Sequence, residues 1–256
     1  MSSRVVRALS VTHVRPAETS NSQQQDADQA MIKLSPFDTM FLPLTPMQRL
    51  FFYEGDDLPP FPDLVRALRS SLAATLAVFT PLAGQVAVSP SGVGVAIDCS
   101  PGTVSRGGVR FVEAEYAGSA ADVRRLAGAA EHDADAYAQL APALPAPALS
   151  AQVTRPAGGG GGIGAVVVGV SMNHVVADGQ ALWEFIRAWA AAARGSSTAG
   201  TGLVPPTFDR AAINRHPKAE EVARKFVRVF APALPTVRAS IVSAVVVVKF
   251  DIRANM

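Results

Sequence analysis

Residues 165–172, Ala-Val-Val-Val-Gly-Val-Ser-Met, carry no charge and lead through a short polar stretch into a segment with helical spacing. A run this short and this rich in β-branched valine has the length and composition of one strand. Because its apolar character does not alternate, both faces must be covered, which places the strand inside a sheet. Further on, Leu182, Phe185, Ile186, Trp189 and Ala193 fall on one side of a helix predicted over 179–194. A buried strand followed by an amphipathic helix is the repeating unit of α/β proteins. The residues between the two are held at a strand end, where such folds commonly expose reactive side chains.

The rest of the chain supports an α/β reading. Residues 5–14 form a first strand stopped by Pro16. Arg4, Arg7 and Arg15, with no acid over 1–16, also faintly suit an organelle transit peptide, but the strand accounts for more of the pattern. Residues 17–30 are polar and aperiodic, as a loop would be. The dense stretch 34–53 is interrupted by Pro43 and Pro46 and cannot be one helix. A helix begins at Pro62 and Asp63, carries Val65, Leu68, Leu72, Leu76 and Phe79 as one stripe, and ends at Pro81. Residues 85–88 and 93–98 read as a hairpin across a Ser-Pro-Ser-Gly turn, 109–114 as a strand and 120–130 as a helix. A proline-rich connection spans 141–148, a glycine loop 158–162 and a linker 195–206; a helix at 219–230 and a strand at 240–250 follow.

Composition narrows the function classes. With 49% apolar and 17% charged residues the chain can build a core, and a net charge of +2 without a basic stripe argues against nucleic acid as a partner. The one cysteine, Cys99, rules out a disulfide within the chain, argues against a cysteine-based zinc site and fits a reducing compartment, so the expected location is cytoplasmic. The longest apolar runs, 163–172 and 241–248, fall short of the about 18 residues of a membrane span, and no hydrophobic signal peptide opens the chain.

The candidate chemistry sits in Ser171-Met172-Asn173-His174-Val175-Val176-Ala177-Asp178-Gly179. A histidine at a strand end can reach a cleft and move a proton near neutral pH. Asp178 is placed to cap the following helix, and Gly179 to allow a turn that a Cβ would hinder. Taken alone, the same residues are more often an ordinary histidine and an ordinary cap, since a two-residue match is common by chance. Gly159, Gly161 and Gly164 spell G-x-G-x-x-G, but a strand follows where a dinucleotide site needs a helix. Glu131, His132, Asp133 and Asp135 are better read as a solvated helix end than as a metal site, and no metal is expected. Cys99 has no histidine near it in sequence, and Trp183 and Trp189 sit at helical spacing among core residues.

The surroundings of the histidine are more specific than the histidine. VSMNHVVADGQALWEFIRAWA resembles the signature of the BAHD acyltransferases, plant enzymes that transfer acyl groups from acyl-CoA. LSPFDTMFLPLTPMQRLFFYE is similar to that family's N-terminal block, FTPLAGQV to the segment after its first helix, and PPTFDRAAI to the segment after its signature helix, all in the expected order. The resemblance implies the N-terminal domain of a two-domain, chloramphenicol acetyltransferase-like α/β fold, with a mixed sheet and flanking helices. It implies residues 1–200 as that domain and 201–256 as a crossover linker and the start of a second. It further implies a solvent channel between domains, His174 as general base within it, and Asp178 and Gly179 as structural residues beside it. Acyl-CoA would be co-substrate with no other cofactor, the acceptor a small molecule bearing a hydroxyl or amine, and the protein a monomer away from membranes. The QRLFFYE block resembles the branch acting on phenolic or flavonoid glycosides.

The departures are equally definite. The family's second motif, Asp-Phe-Gly-Trp-Gly, is absent, both tryptophans being at 183 and 189, and family chains run to roughly twice this length. Asn173 stands where wax-ester synthases and peptide-synthetase condensation domains favour a second histidine. The expectation is therefore the N-terminal half of an acyltransferase. Its rivals are a truncated, non-catalytic remnant of the family and a binding protein of unrelated fold, the latter leaving the other three segments unexplained.

Overall fold

The computed structural model describes residues 5–18, 30–88, 94–128, 133–144, 148–158, 164–195, 206–230 and 245–251. In chain order the elements are β1 (Val6–Val14), β2 (Met31–Lys33), α1 (Pro36–Thr39), β3 (Met47–Glu54), α2 (Phe61–Val78), β4 (Gln85–Val88), β5 (Val95–Asp98), α3 (Pro101–Arg106) and β6 (Val109–Tyr116). They continue with α4 (Ala120–Gly128), α5 (Ala134–Leu140), β7 (Leu149–Pro156), β8 (Ala165–Met172), α6 (Gly179–Ala193), α7 (Ala211–Asn214), α8 (Ala219–Phe230) and β9 (Val245–Asp251).

Six strands form the main sheet in the order β1-β6-β7-β8-β3-β9, and β2-β5-β4 form a small antiparallel sheet. The main sheet is mixed: β6 with β7 and β3 with β9 are parallel, and the other pairs are antiparallel. The β6–β7 connection carries α4 and α5, as a parallel pair requires a crossover of a dozen or more residues. As expected, β8 is interior, with β7 on one side and β3 on the other, and every one of its residues is buried.

Both faces of the sheet are covered by apolar clusters. On one, Phe51, Leu149, Val153, Val166, Val168, Val170 and Met172 share a core with Leu72 and Leu76 of α2 and Leu182, Phe185 and Trp189 of α6. On the other, Leu50, Phe52, Val112, Ala114 and Val167 meet Val123 and Leu126 of α4 and Tyr137 and Leu140 of α5. Trp189 Nε1 donates to the Leu68 carbonyl and to Ser71 Oγ, both at 3.1 Å, tying α6 to α2. Gly169 answers a close approach: a Cβ there would overlap the Leu140 carbonyl oxygen and sit 3.1 Å from Pro142 Cδ. The same turn is held by Gln152 Nε2, which donates to the carbonyls of Gln139 at 2.9 Å and Leu140 at 3.2 Å.

Expectation and structure differ at definite places. Within 34–53 the chain forms α1, a series of turns and then β3, which starts directly after Pro46 and lies between β8 and β9. Strand β7 occupies 149–156, a stretch for which the sequence pattern indicated no strand, and β2, α3 and α5 are likewise additional. In α6 the fully buried set includes Ala188 and Ala191, whereas Ile186 and Ala193 are half-buried. Strand β9 pairs along β3, so residues 245–251 extend the main sheet itself. The turn at 89–92, Glu131, His132, Gly159, Gly161 and most of the loop and linker at 17–30 and 195–206 lie outside the described residues, as do residues 240–244. No helix among the described residues is long and apolar enough to cross a membrane.

Candidate active site

The site begins where β8 stops. Met172 is the last paired residue, opposite Met47 and Leu149, and the Asn173 N–H then donates to the Ala148 carbonyl at 2.8 Å. Asn173 closes the turn on itself: its Oδ1 accepts from the Val175 N–H and its carbonyl from the Val176 N–H, both at 3.1 Å. An asparagine side chain bonding its own backbone two residues on is a standard turn device. Val175 and Val176 are buried in the α2/α6 core and anchor the turn from within. On the opposite face Gln48 Nε2 donates to Ser171 Oγ at 3.2 Å, and Ser171 Oγ to the Pro142 carbonyl at 2.6 Å, so the end of β8 is braced on both sides.

Between these anchors His174 is half-buried. Its ring lies flat against Phe41, with centroids 4.3 Å apart and an interplanar angle of 7°. Nδ1 is shut off from solvent and meets no hydrogen-bond partner among the described residues. The exposure that remains falls on the other atoms of the residue. Asp178 has extended backbone, φ −85° and ψ −176°, and its carboxylate accepts from the Ala181 N–H at 2.8 Å. That is an N-cap, as its place before α6 suggests.

Gly179 departs from expectation. It is the first residue of α6, its φ lies outside the left-handed region, and a Cβ built on it would meet nothing within 4 Å. The backbone turn therefore does not require a glycine there.

Phe41 is the site residue that sequence reasoning did not single out, although it lies within the LSPFDTMFLP segment. Ser35 and Asp38 form a reciprocal capping box around α1, Asp38 N–H to Ser35 Oγ at 3.3 Å and Ser35 N–H to Asp38 Oδ2 at 2.7 Å. Arg210, from the PPTFDR segment, reaches Asp38 Oδ2 at 3.3 Å in a largely enclosed ion pair. The Phe41 N–H donates to the Asp38 carbonyl at 3.1 Å and Leu42 is buried, so Phe41 leaves a fixed turn.

The other residues considered in the sequence are placed only in part, since Glu131, His132, Gly159 and Gly161 lie outside the described residues, and Asp133 and Asp135 begin a helix of their own instead of ending the one before. Gly164 is followed by β8, a strand. Asp133 caps α5, accepting from the Ala136 N–H at 2.9 Å, and Asp135 lies in the first turn of that helix. No group of three or more metal-ligating side chains occurs among the described residues. Burial, reinforced by the neighbouring Asp98 carboxylate, pushes the Cys99 thiol up to about 12, so it is un-ionised near neutrality and ill-suited as a nucleophile. Trp183 meets Phe51 edge-on at 6.0 Å, as a packing residue does. One cavity of about 810 Å³, bordered by Lys33, Thr80, Cys99, Phe208 and Arg210, and another of about 550 Å³, bordered by His13, Arg15, Arg69 and Glu113, do not include His174 in their lining.

Comparison with known proteins settles the family. The model of the Transferase family matches residues 6–256. The chain belongs to the BAHD transferase family. Among its BAHD relatives, putrescine hydroxycinnamoyltransferase of Oryza sativa subsp. japonica is 30% identical over 90% of this chain and 47% of that protein. Malonyl-CoA:anthocyanidin 5-O-glucoside-6''-O-malonyltransferase of Arabidopsis thaliana is 31% identical over 80% of this chain and 42% of its own length. The crystal structure of vinorine synthase shares the BAHD fold, with a TM-score of 0.61 at 24% identity over 81% of this chain and 46% of its own. The chain spans about half the length of the curated relatives it matches.

Proposed function

We propose that this chain is the base-bearing part of an acyl-CoA-dependent acyltransferase acting on a hydroxyl or amine of a plant secondary metabolite, in the cytoplasm. The observation that carries the reading is His174, fixed at the end of a central strand with Nδ1 enclosed and part of the residue still exposed. The relatives' names point to a hydroxycinnamoyl or malonyl thioester as donor, and to a polyamine or a flavonoid glucoside as acceptor. In this reading residues 1–200 make up the N-terminal acyltransferase domain and 201–256 the crossover and the start of a second one, although 245–251 pair onto β3 of the first.

In this reading His174 Nε2 takes the proton from the acceptor O–H or N–H as its oxygen or nitrogen attacks the thioester carbonyl. The new acyl C–O or C–N bond forms, the C–S bond breaks, and the imidazolium returns its proton to the departing CoA sulfur. No enzyme nucleophile is needed. Asp178 acts only through the start of α6, its carboxylate being engaged by the Ala181 N–H.

The test complements residues 1–256 with the second half of the rice putrescine hydroxycinnamoyltransferase and follows CoA release with several donors and acceptors. His174→Ala is expected to lower turnover by about 10² to 10⁴, the usual share of a general base. Turnover close to normal in that variant removes His174 as the base. A pairing inactive even with the native histidine favours the remnant reading, in which the chain binds but does not catalyse.

A further inference from the structure

We infer that Phe41 is the positioning residue of His174, and that the Asp38–Arg210 ion pair holds Phe41 in place. The inference rests on the reading of His174 as the base. A base histidine is ordinarily oriented by a hydrogen bond to its second nitrogen, which sets both the tautomer and the ring plane. Here Nδ1 is enclosed and meets no acceptor among the described residues. What sets the ring plane is the Phe41 face, parallel within 7° at 4.3 Å.

Phe41 is itself held from two directions. Its N–H is bound to the Asp38 carbonyl, and its own carbonyl accepts from the Leu44 N–H at 3.0 Å, so its backbone is committed on both sides. Asp38 belongs at once to the Ser35 capping box and to the ion pair with Arg210, 172 residues further along the chain. Arg210 is steadied in turn by donating to the Phe208 carbonyl at 2.9 Å. Neighbouring apolar side chains of the segment, Phe37, Met40 and Leu44, remain exposed, whereas Phe41 is turned onto the imidazole. Segment 35–42 thus meets 171–179 at the stacked rings and 206–211 at Asp38.

The stack also acts differentially. As Nε2 accepts the acceptor's proton the imidazole becomes a cation, and an aromatic face attracts a cation more strongly than a neutral ring. An interaction that strengthens as the proton moves favours the transition state over the ground state.

The experiment uses histidine-labelled residues 1–256 for NMR and the complemented enzyme for kinetics. The chain has four histidines, at 13, 132, 174 and 216, and His174→Ala assigns the one of interest. Its ring protons are expected upfield of the other three because they lie over an aromatic face, and that displacement should vanish in Phe41→Leu and persist in Phe41→Tyr. Asp38→Asn and Arg210→Met should move the resonance part of the way. In the enzyme, Phe41→Leu should lower kcat by about 10- to 100-fold, the scale of a misplaced reacting group, with KM for the donor unchanged and Phe41→Tyr restoring the rate. A folded Phe41→Leu protein with native kcat, in an enzyme that His174→Ala inactivates, overturns the role of Phe41 alone. Full activity in His174→Ala, with the upfield signal intact in the native chain, overturns the base reading and leaves the stack standing.

Discussion

Around His174, neighbouring residues of one short motif do separate jobs, and their side chains separate under substitution. Asp178 supplies an acceptor to a free helix N–H. Asp178→Ala should cost about 1 kcal/mol of stability, whereas Asp178→Asn, still a good cap, should cost less; urea unfolding distinguishes them. Gly179 has open space where a Cβ would go. Gly179→Ala is therefore expected to leave the unfolding midpoint within about 0.5 kcal/mol of native, and a large loss there would show that the turn needs glycine after all. Burial also acts on Cys99 and Tyr53, whose groups are both pushed up to about 12 from ordinary values of 9.0 and 10.0. Since the folded state disfavours their ionised forms, their contribution is complete below pH about 9 and is lost as pH rises toward 12. Stability measured between pH 8 and 11 should fall, and Cys99→Ala should flatten part of that fall. In the native protein Cys99 should resist iodoacetamide at pH 8 and react once urea unfolds the chain.

The elements with clean periodicity were the easily read ones. Helix α2 and helix α6 carry apolar stripes that their tertiary contacts use, and β8 is apolar throughout because both faces are covered. Strand β7 was hidden for the opposite reason. Ser150, Gln152 and Thr154 make it look like a loop, yet all three are buried, and Gln152 is satisfied by carbonyls at the end of α5 that the sequence cannot place beside it. Strand β3 was obscured by two prolines just before it and by Gln48 and Arg49 within it, and it is a strand because β8 and β9 flank it. Helices α1, α3 and α5 are too short for a helical period to show. Gly169 tests the packing between such elements: Gly169→Ala would drive a Cβ into the Leu140 carbonyl. It should destabilise by about 1–3 kcal/mol, as overpacking does, in contrast to Gly179→Ala.

Across the whole molecule, one sheet gathers strands from both ends of the chain. Strand β9 covers the edge of β3, itself a buried strand carrying Leu50, Phe51 and Phe52. Removing residues 245–256 would leave that edge unpaired, and unpaired apolar edges invite association with other chains. The shortened chain is expected to show a lower monomeric fraction in size-exclusion chromatography and more thioflavin binding than residues 1–256; equal behaviour would show that β9 is not protecting the edge. The sequence alone determined the α/β class, the central strand, the helix that follows it, the histidine between the two and the family those segments resemble, because each rests on local period or on residues adjacent in the chain. The partners of that histidine were decided only by tertiary structure. Phe41 stacks on it from 133 positions away, and Arg210 secures Phe41 through Asp38 across 172. Such contacts follow from which strands pair and which turns meet at their ends, and no local pattern in the chain encodes them.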